Sequence, residues 1–213
     1  MIVATLGMRM MNNPIHKYVG VAGITSLLII GLLIIGGNIN KRYNDYVNKC
    51  SLYDNVHSEL NYYREAGEIN DYYARFGIVT RIDVIKQTLE ALDNLLPKYF
   101  PDGPYNRKDL LAIAMVESSF NQYLTGKAGE YGIFQIMPES CAWMGVTKNQ
   151  FDIEVNTELG LFILKKKFDK HKSYKISVIA YNGLVNKKGK LDETYWDKFI
   201  KYRKSLDDIL EER

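Results

Sequence analysis

The sequence predicts a mainly α-helical chain in which a single transmembrane helix and a helical stalk precede one helical domain. Three observations predict this. No charged residue lies between Tyr18 and Asn40. Beyond that stretch, apolar residues recur at intervals of three and four, the helical period. No run alternates apolar and polar residues at the period of two that a half-buried strand requires.

The uncharged stretch centres on Leu27-Leu28-Ile29-Ile30-Gly31-Leu32-Leu33-Ile34-Ile35. A helix rising about 1.5 Å per residue needs roughly 20 such residues to cross the hydrocarbon core of a bilayer. Residues 18–40 therefore read as a membrane span, preceded by a tail over 1–17. A cleaved signal peptide is the rival, but no small-x-small site follows the apolar run before Asn38. Arg9 and Lys17 flank one side and Lys41, Arg42 and Lys49 the other, so the positive-inside rule gives no orientation.

Residues 41–76 read as the stalk. Tyr46, Cys50, Tyr53, Val56, Leu60 and Tyr63 recur at helical spacing and suit a spacer packing on the following domain. The domain itself is expected over 77–213. Thr80, with Asp83 three residues later, has the form of an N-cap, and Pro97 the form of a stop. Asn106 precedes a helix over 107–118 whose residues Leu110, Leu111, Ile113, Ala114, Met115 and Val116 cover most of its surface, the mark of a buried helix. A Gly-rich stretch (Gly126, Gly129, Gly132) separates it from helices near 139–144, 154–168, 176–181 and 194–210.

Composition bounds the function. A 25% share of charged residues excludes a wholly membrane-embedded protein, and a net charge of +3 gives no indication of nucleic-acid binding. Cys50 and Cys141 stand far apart, with no Cys/His cluster at ligand spacing, so neither a disulfide framework nor a metal site is expected and both thiols read as free and partly buried.

Glu117 ends the most apolar helix, directly after Met115-Val116. A carboxyl group in such a setting has its charged form disfavoured and can hold a proton near neutral pH for general acid chemistry. Around it stand Ala114-Met115-Val116-Glu117-Ser118-Ser119-Phe120-Asn121, Gly129-Glu130-Tyr131-Gly132-Ile133-Phe134-Gln135-Ile136-Met137-Pro138, Asn156-Thr157-Glu158-Leu159-Gly160 and Ala180-Tyr181-Asn182-Gly183. These four ordered blocks, within about 105–200, resemble the lytic transglycosylase family, in particular the catalytic domain of its soluble members.

The resemblance implies a lysozyme-like catalytic domain that acts on peptidoglycan glycan strands without a cofactor. It places Glu117 at the catalytic acid and base and Ser118 beside it as an orienting hydrogen-bonder. Gln135 falls on a substrate-contacting glutamine, with Ile136 and Met137 forming cleft wall. Tyr181 falls on a tyrosine whose hydroxyl approaches the catalytic carboxyl, Asn182 on its neighbour, and Glu193 near the sugar subsites. The sequence departs from the family pattern where Gly126 replaces a serine that contacts the substrate acetamido group, where Ile133-Phe134 replaces Leu-Met, and where Glu130 enters the turn. Glu130 could serve as the second carboxylate that an inverting muramidase needs. Hydrolysis therefore stays open beside transglycosylation, as does a wall-binding module without activity. The expected partners are peptidoglycan and, through residues 18–40, a lipid bilayer. The setting is either a bacterial inner membrane facing the wall or a phage virion or entry apparatus.

Overall fold

The computed structural model describes residues 14–146, 149–183 and 190–210, with side chains from residue 36 onward. Among the described residues seven helices follow in order: α1 (Pro14–Ala74), α2 (Ile82–Tyr99), α3 (Arg107–Ser118), α4 (Pro138–Trp143), α5 (Ile153–His171), α6 (Tyr174–Tyr181) and α7 (Glu193–Leu210). The chain divides into two compact units, Met1–His57 and Ser58–Arg213, and α1 runs through both ranges.

Residues 18–35 of the expected span carry side chains outside the described residues. Among the described residues no helix is long and apolar enough to cross a membrane, so the span remains a reading of the sequence. The stripe expected to seat the stalk does not pack as anticipated. Tyr46, Tyr53, Val56, Leu60 and Tyr63 are all exposed, and Cys50, expected to be partly buried, is exposed as well. Packing begins further along α1, where Ala66, Ile69 and Tyr73 follow at intervals of three and four and are buried.

In the second unit α2 packs on α5, α3 on α7, and α5 on α6. At the centre is α3, where Leu110 to Ala114 are fully buried and Met115 nearly so. Burial of each large apolar side chain there stabilises the fold by roughly 1.5–3 kcal/mol. The helix starts where its chemistry dictates. The Asn106 side chain accepts from the backbone N–H groups of Lys108 and Asp109, while Asp109 accepts from the Asn106 N–H, a reciprocal capping box.

Two expected boundaries shift. The N-cap of α2 is Arg81, not Thr80, whose hydroxyl instead donates to Asn70 Oδ1 at 2.8 Å. Pro97 does not stop α2, which continues to Tyr99, because only the last turn loses a hydrogen bond to the missing N–H. The only β pairing among the described residues is two isolated bridges, Thr125 with Tyr131 and Tyr131 with Ile136.

Asp109 has a second task. Its carboxylate, 2% exposed, accepts from the Tyr174 hydroxyl at 2.7 Å and from Arg203 Nε at 2.7 Å, joining α3 to α6 and α7. Removing one member of a buried ion pair costs about 3–5 kcal/mol, towards the lower figure here because Arg203 keeps its pairing with Asp207. Asp109→Ala is expected to lower unfolding free energy by that amount in urea titration. A change under about 1 kcal/mol would show that water reaches and rescues Arg203.

Candidate active site

Glu117 occupies the last turn of α3, where the chain turns sharply out of the core. Ser119 caps the helix in the left-handed region (φ 54°) and Phe120 follows it there (φ 58°). Gln135 has φ 46°, so three of the four non-glycine residues with positive φ among the described residues flank this site. Each such conformation costs about 1–2 kcal/mol and persists only where the surroundings impose it. Here Phe120 is buried (2% exposed), and its packing holds the strained turn in place.

The facing element is the turn 124–136. It is closed by hydrogen bonds from Gly126 N–H to Glu130 O (2.8 Å), from Gly132 N–H to Leu124 O (2.9 Å), and by the mutual pair of Tyr131 and Ile136 (2.9 Å each). One buried side chain sews it to α5. Asn156 donates to Tyr131 O and Gln150 O, both at 3.0 Å, and accepts from Phe134 N–H at 2.8 Å. Gly132 must lack a side chain for this to happen: its φ is +73°, and a Cβ there would lie 2.6 Å from Asn156 Nδ2. Gly160, one turn along α5, lets the Phe134 ring approach to where a Cβ would be 2.8 Å away. The spacing of Asn156 and Gly160 is thus explained by one turn docking on one helix.

Ser118 ties α3 to the same turn, donating to Ile133 O at 2.8 Å, with Ala114 O 3.3 Å away. It fixes the end of the helix that carries Glu117. Gln135 donates to Gly132 O (2.8 Å) and Leu124 O (3.2 Å), so its side chain is locked by backbone carbonyls. Gln135, Met137 and Tyr181 line a cavity of ≈ 380 Å³ together with Trp143 and Lys166. Trp143 is 77% exposed, a flat apolar face open to a ligand.

The hydroxyl that meets the Glu117 carboxyl is not the one expected. Tyr181 donates to Phe134 O at 2.9 Å, whereas Tyr195, from the first turns of α7, donates to Glu117 Oε1 at 2.6 Å. Tyr181 still lies close enough for the Glu117 charge to be felt, and burial with that charge pushes its phenol well above the ordinary value. Burial raises the Glu117 carboxyl from 4.5 to about 7; the hydrogen bond from Tyr195 lowers it, the nearby Glu130 charge raises it and Lys198 lowers it.

Three other expected site residues sit elsewhere. Ile136 is fully buried and belongs to the core instead of a cleft wall, because its backbone bridge to Tyr131 turns the side chain inward. Asn182 is exposed and caps α6. Glu193 is exposed and pairs with Lys175 at 2.8 Å. Glu130 folds back on its own turn: its carboxylate accepts from Ala128 N–H at 2.9 Å and fills the space a Cβ on Gly126 would need, 2.0 Å away. The glycine at 126 is therefore what admits Glu130.

Tyr195 was legible only as a core position. Tyr195, Phe199, Tyr202 and Leu206 form the inward stripe of α7, and a buried tyrosine needs a partner for its hydroxyl. Nothing in that stripe says which partner. No group of three or more His, Cys, Asp or Glu that could hold a metal ion occurs among the described residues.

Comparison with known proteins finds a family similar to the segment that carries this site. Residues 105–202 match a family described as the transglycosylase SLT domain. Solved structures that align with the chain include the 70 kDa soluble lytic transglycosylase from Escherichia coli, at 23% identity over 55% of this chain and 22% of that one, with a TM-score of 0.37. A complex of the 70 kDa soluble lytic transglycosylase with bulgecin A aligns at 22% identity, over 60% and 24% of the two chains, with a TM-score of 0.38. An inactive mutant of lytic transglycosylase Slt from Pseudomonas aeruginosa aligns at 18%, over 65% and 30%, with a TM-score of 0.36. The chain thus spans less than a third of the length of each of these proteins.

The Tyr195 hydrogen bond stabilises the charged form of Glu117, so its loss has a definite sign. Tyr195→Phe is expected to raise the Glu117 pKa above its present value of about 7, read by carboxyl carbon NMR titration. A titration that moves down or stays in place would mean the contact carries no weight in solution.

Proposed function

Because residues 105–202 match the transglycosylase SLT domain family, we propose that the chain cleaves peptidoglycan glycan strands between N-acetylmuramic acid and N-acetylglucosamine, leaving a 1,6-anhydro end. The observation that carries this reading is a single carboxyl, Glu117, raised to about 7 by burial, held by Tyr195, and near enough to Tyr181, which lines a cavity with Gln135 and Met137, for its charge to act on that phenol.

The chemistry runs through that one group. Protonated Glu117 gives its proton to the glycosidic oxygen as the bond to the muramic acid C1 breaks. The oxocarbenium-like state that results is stabilised by the substrate's own acetamido group. The Glu117 carboxylate then takes the proton of the muramic acid 6-hydroxyl, and that oxygen closes on C1. The acid is restored, and no water is consumed. Ser118 and Tyr195 are positioning residues here, since one fixes the helix end and the other the carboxyl. Gln135 and Tyr181 offer polar groups to the sugar.

Hydrolysis is the second reading, and one observation favours it: Glu130 is near enough for its charge to raise the Glu117 pKa. Against it, Glu130 is bound to its own turn through Ala128 N–H, which leaves it poorly placed to activate water. The uncharged stretch 18–40 supports an anchor in a bilayer facing the wall, in a bacterial envelope or a phage entry apparatus. An anchored enzyme would open the wall only near its membrane.

Purified walls digested with the protein and analysed by mass spectrometry are expected to yield anhydro-muramic ends. Reducing muramic acid ends would instead assign hydrolysis with Glu130 as base. Glu117→Gln is expected to abolish turnover, a loss of at least about 10³-fold, while melting normally. Since the free enzyme must hold the Glu117 proton, kcat/KM is expected to fall as pH rises through about 7. A rate that climbs across that range would contradict an acid at this position.

A further inference from the structure

Within the first unit, α1 from Ile39 to His57 is exposed all round. On this stretch Ile39, Tyr43, Tyr46, Cys50, Tyr53 and His57 follow at alternating intervals of four and three. The large members are well exposed: Ile39 at 62%, Tyr43 at 65%, Tyr46 at 67% and Tyr53 at 70%. A repeat averaging 3.5 residues drifts by about 20° per heptad on a straight helix, and stays in one seam only when two helices supercoil around each other. A helix lying on a membrane surface has a different need, a broad apolar face with Lys and Arg along the other.

We infer that this seam docks a second copy of the same chain as a parallel, in-register two-stranded coiled coil. Charge decides both the partner and the direction. With Tyr43, Cys50 and His57 at the a positions and Ile39, Tyr46 and Tyr53 at d, Lys49 falls at g and Asp54 at e. In a parallel pair the g residue of one helix meets the e residue five positions on in the other, so Lys49 meets Asp54 of the second copy twice over, once on each side of the seam. An antiparallel pair would set Lys49 against g positions and lose both matches. Val47 at e and Val56 at g are exposed too and widen the apolar contact next to these pairs. The same register places the two copies of Cys50 opposite each other in one a layer, at a Cα separation of roughly 6 Å that a disulfide can bridge. The inference is independent of the wall-cleaving reading, since it uses no residue of that site.

Position-specific cross-linking of the full-length chain tests it. Diamide oxidises two Cys50 thiols to one disulfide, taking up their two protons and two electrons to become the hydrazine. Cys141 is buried and stays in place, and Cys50→Ser measures its contribution. The unaltered protein is expected to form a covalent dimer at least about tenfold faster than the double variant Cys50→Ser with Asn48→Cys, whose thiol sits at the outward f position. Tyr53→Asp, on an exposed side chain that folding does not need, is expected to slow the Cys50 reaction by a similar factor. Equal rates at positions 48 and 50, or indifference to Tyr53→Asp, would overturn the inference. So would disulfides in whole membranes that join Cys50 to a different protein and not to a second copy, since these would assign the seam to that protein.

Discussion

Everything at the site follows from the burial of α3. A helix that is apolar on nearly all sides can lie only in the middle of the domain, and its last turn must then emerge somewhere with a polar residue at its tip. Glu117 is that residue. Because the helix cannot move, the carboxyl cannot retreat to water, and its proton affinity rises with the desolvation. The strain at Ser119 and Phe120 belongs to the same constraint. The chain must leave a buried helix abruptly, and Phe120 packs in the core to hold the turn.

Around this fixed point the domain places two clamps. Asp109 holds the beginning of α3 through Tyr174 and Arg203, and Ser118 holds its end through Ile133 O. Asn156 does for the opposing turn what Ser118 does for the helix, pairing with Tyr131 O and Phe134 N–H of the turn and with Gln150 O of the segment ahead of α5. Helix and turn are therefore both locked through their backbones, which is the condition for holding a carboxyl and the glutamine of the turn in one geometry.

The glycines show how space and chemistry are coupled. Gly132 makes room for Asn156, Gly160 for the Phe134 ring, and Gly126 for the Glu130 carboxylate. The first two serve docking alone. The third admits a second negative charge near Glu117, and so alters the electrostatics of the site as well as its shape.

Much of this was legible in the amino-acid order. The all-apolar surface of 107–118 foretold a buried helix, Asn106 foretold its start, and the family resemblance of the blocks around Glu117, Gln135, Asn156 and Tyr181 implied which segments serve the site. The first two are local properties, since period and capping chemistry act within one or two turns; the third came from the resemblance. Which hydroxyl reaches Glu117 was not legible, nor was the inward turn of Ile136 or the self-contained pairing of Glu193 with Lys175. These depend on the angle at which α7 crosses α3 and on the twist of the turn 124–136, and a rotation of a few tens of degrees would exchange Tyr195 for a neighbour. The sequence by itself determined the helices and the carboxyl at the end of the most buried one. Only the tertiary structure decided its partners, because hydrogen bonds between elements distant in the chain are set by packing angles that no local pattern encodes.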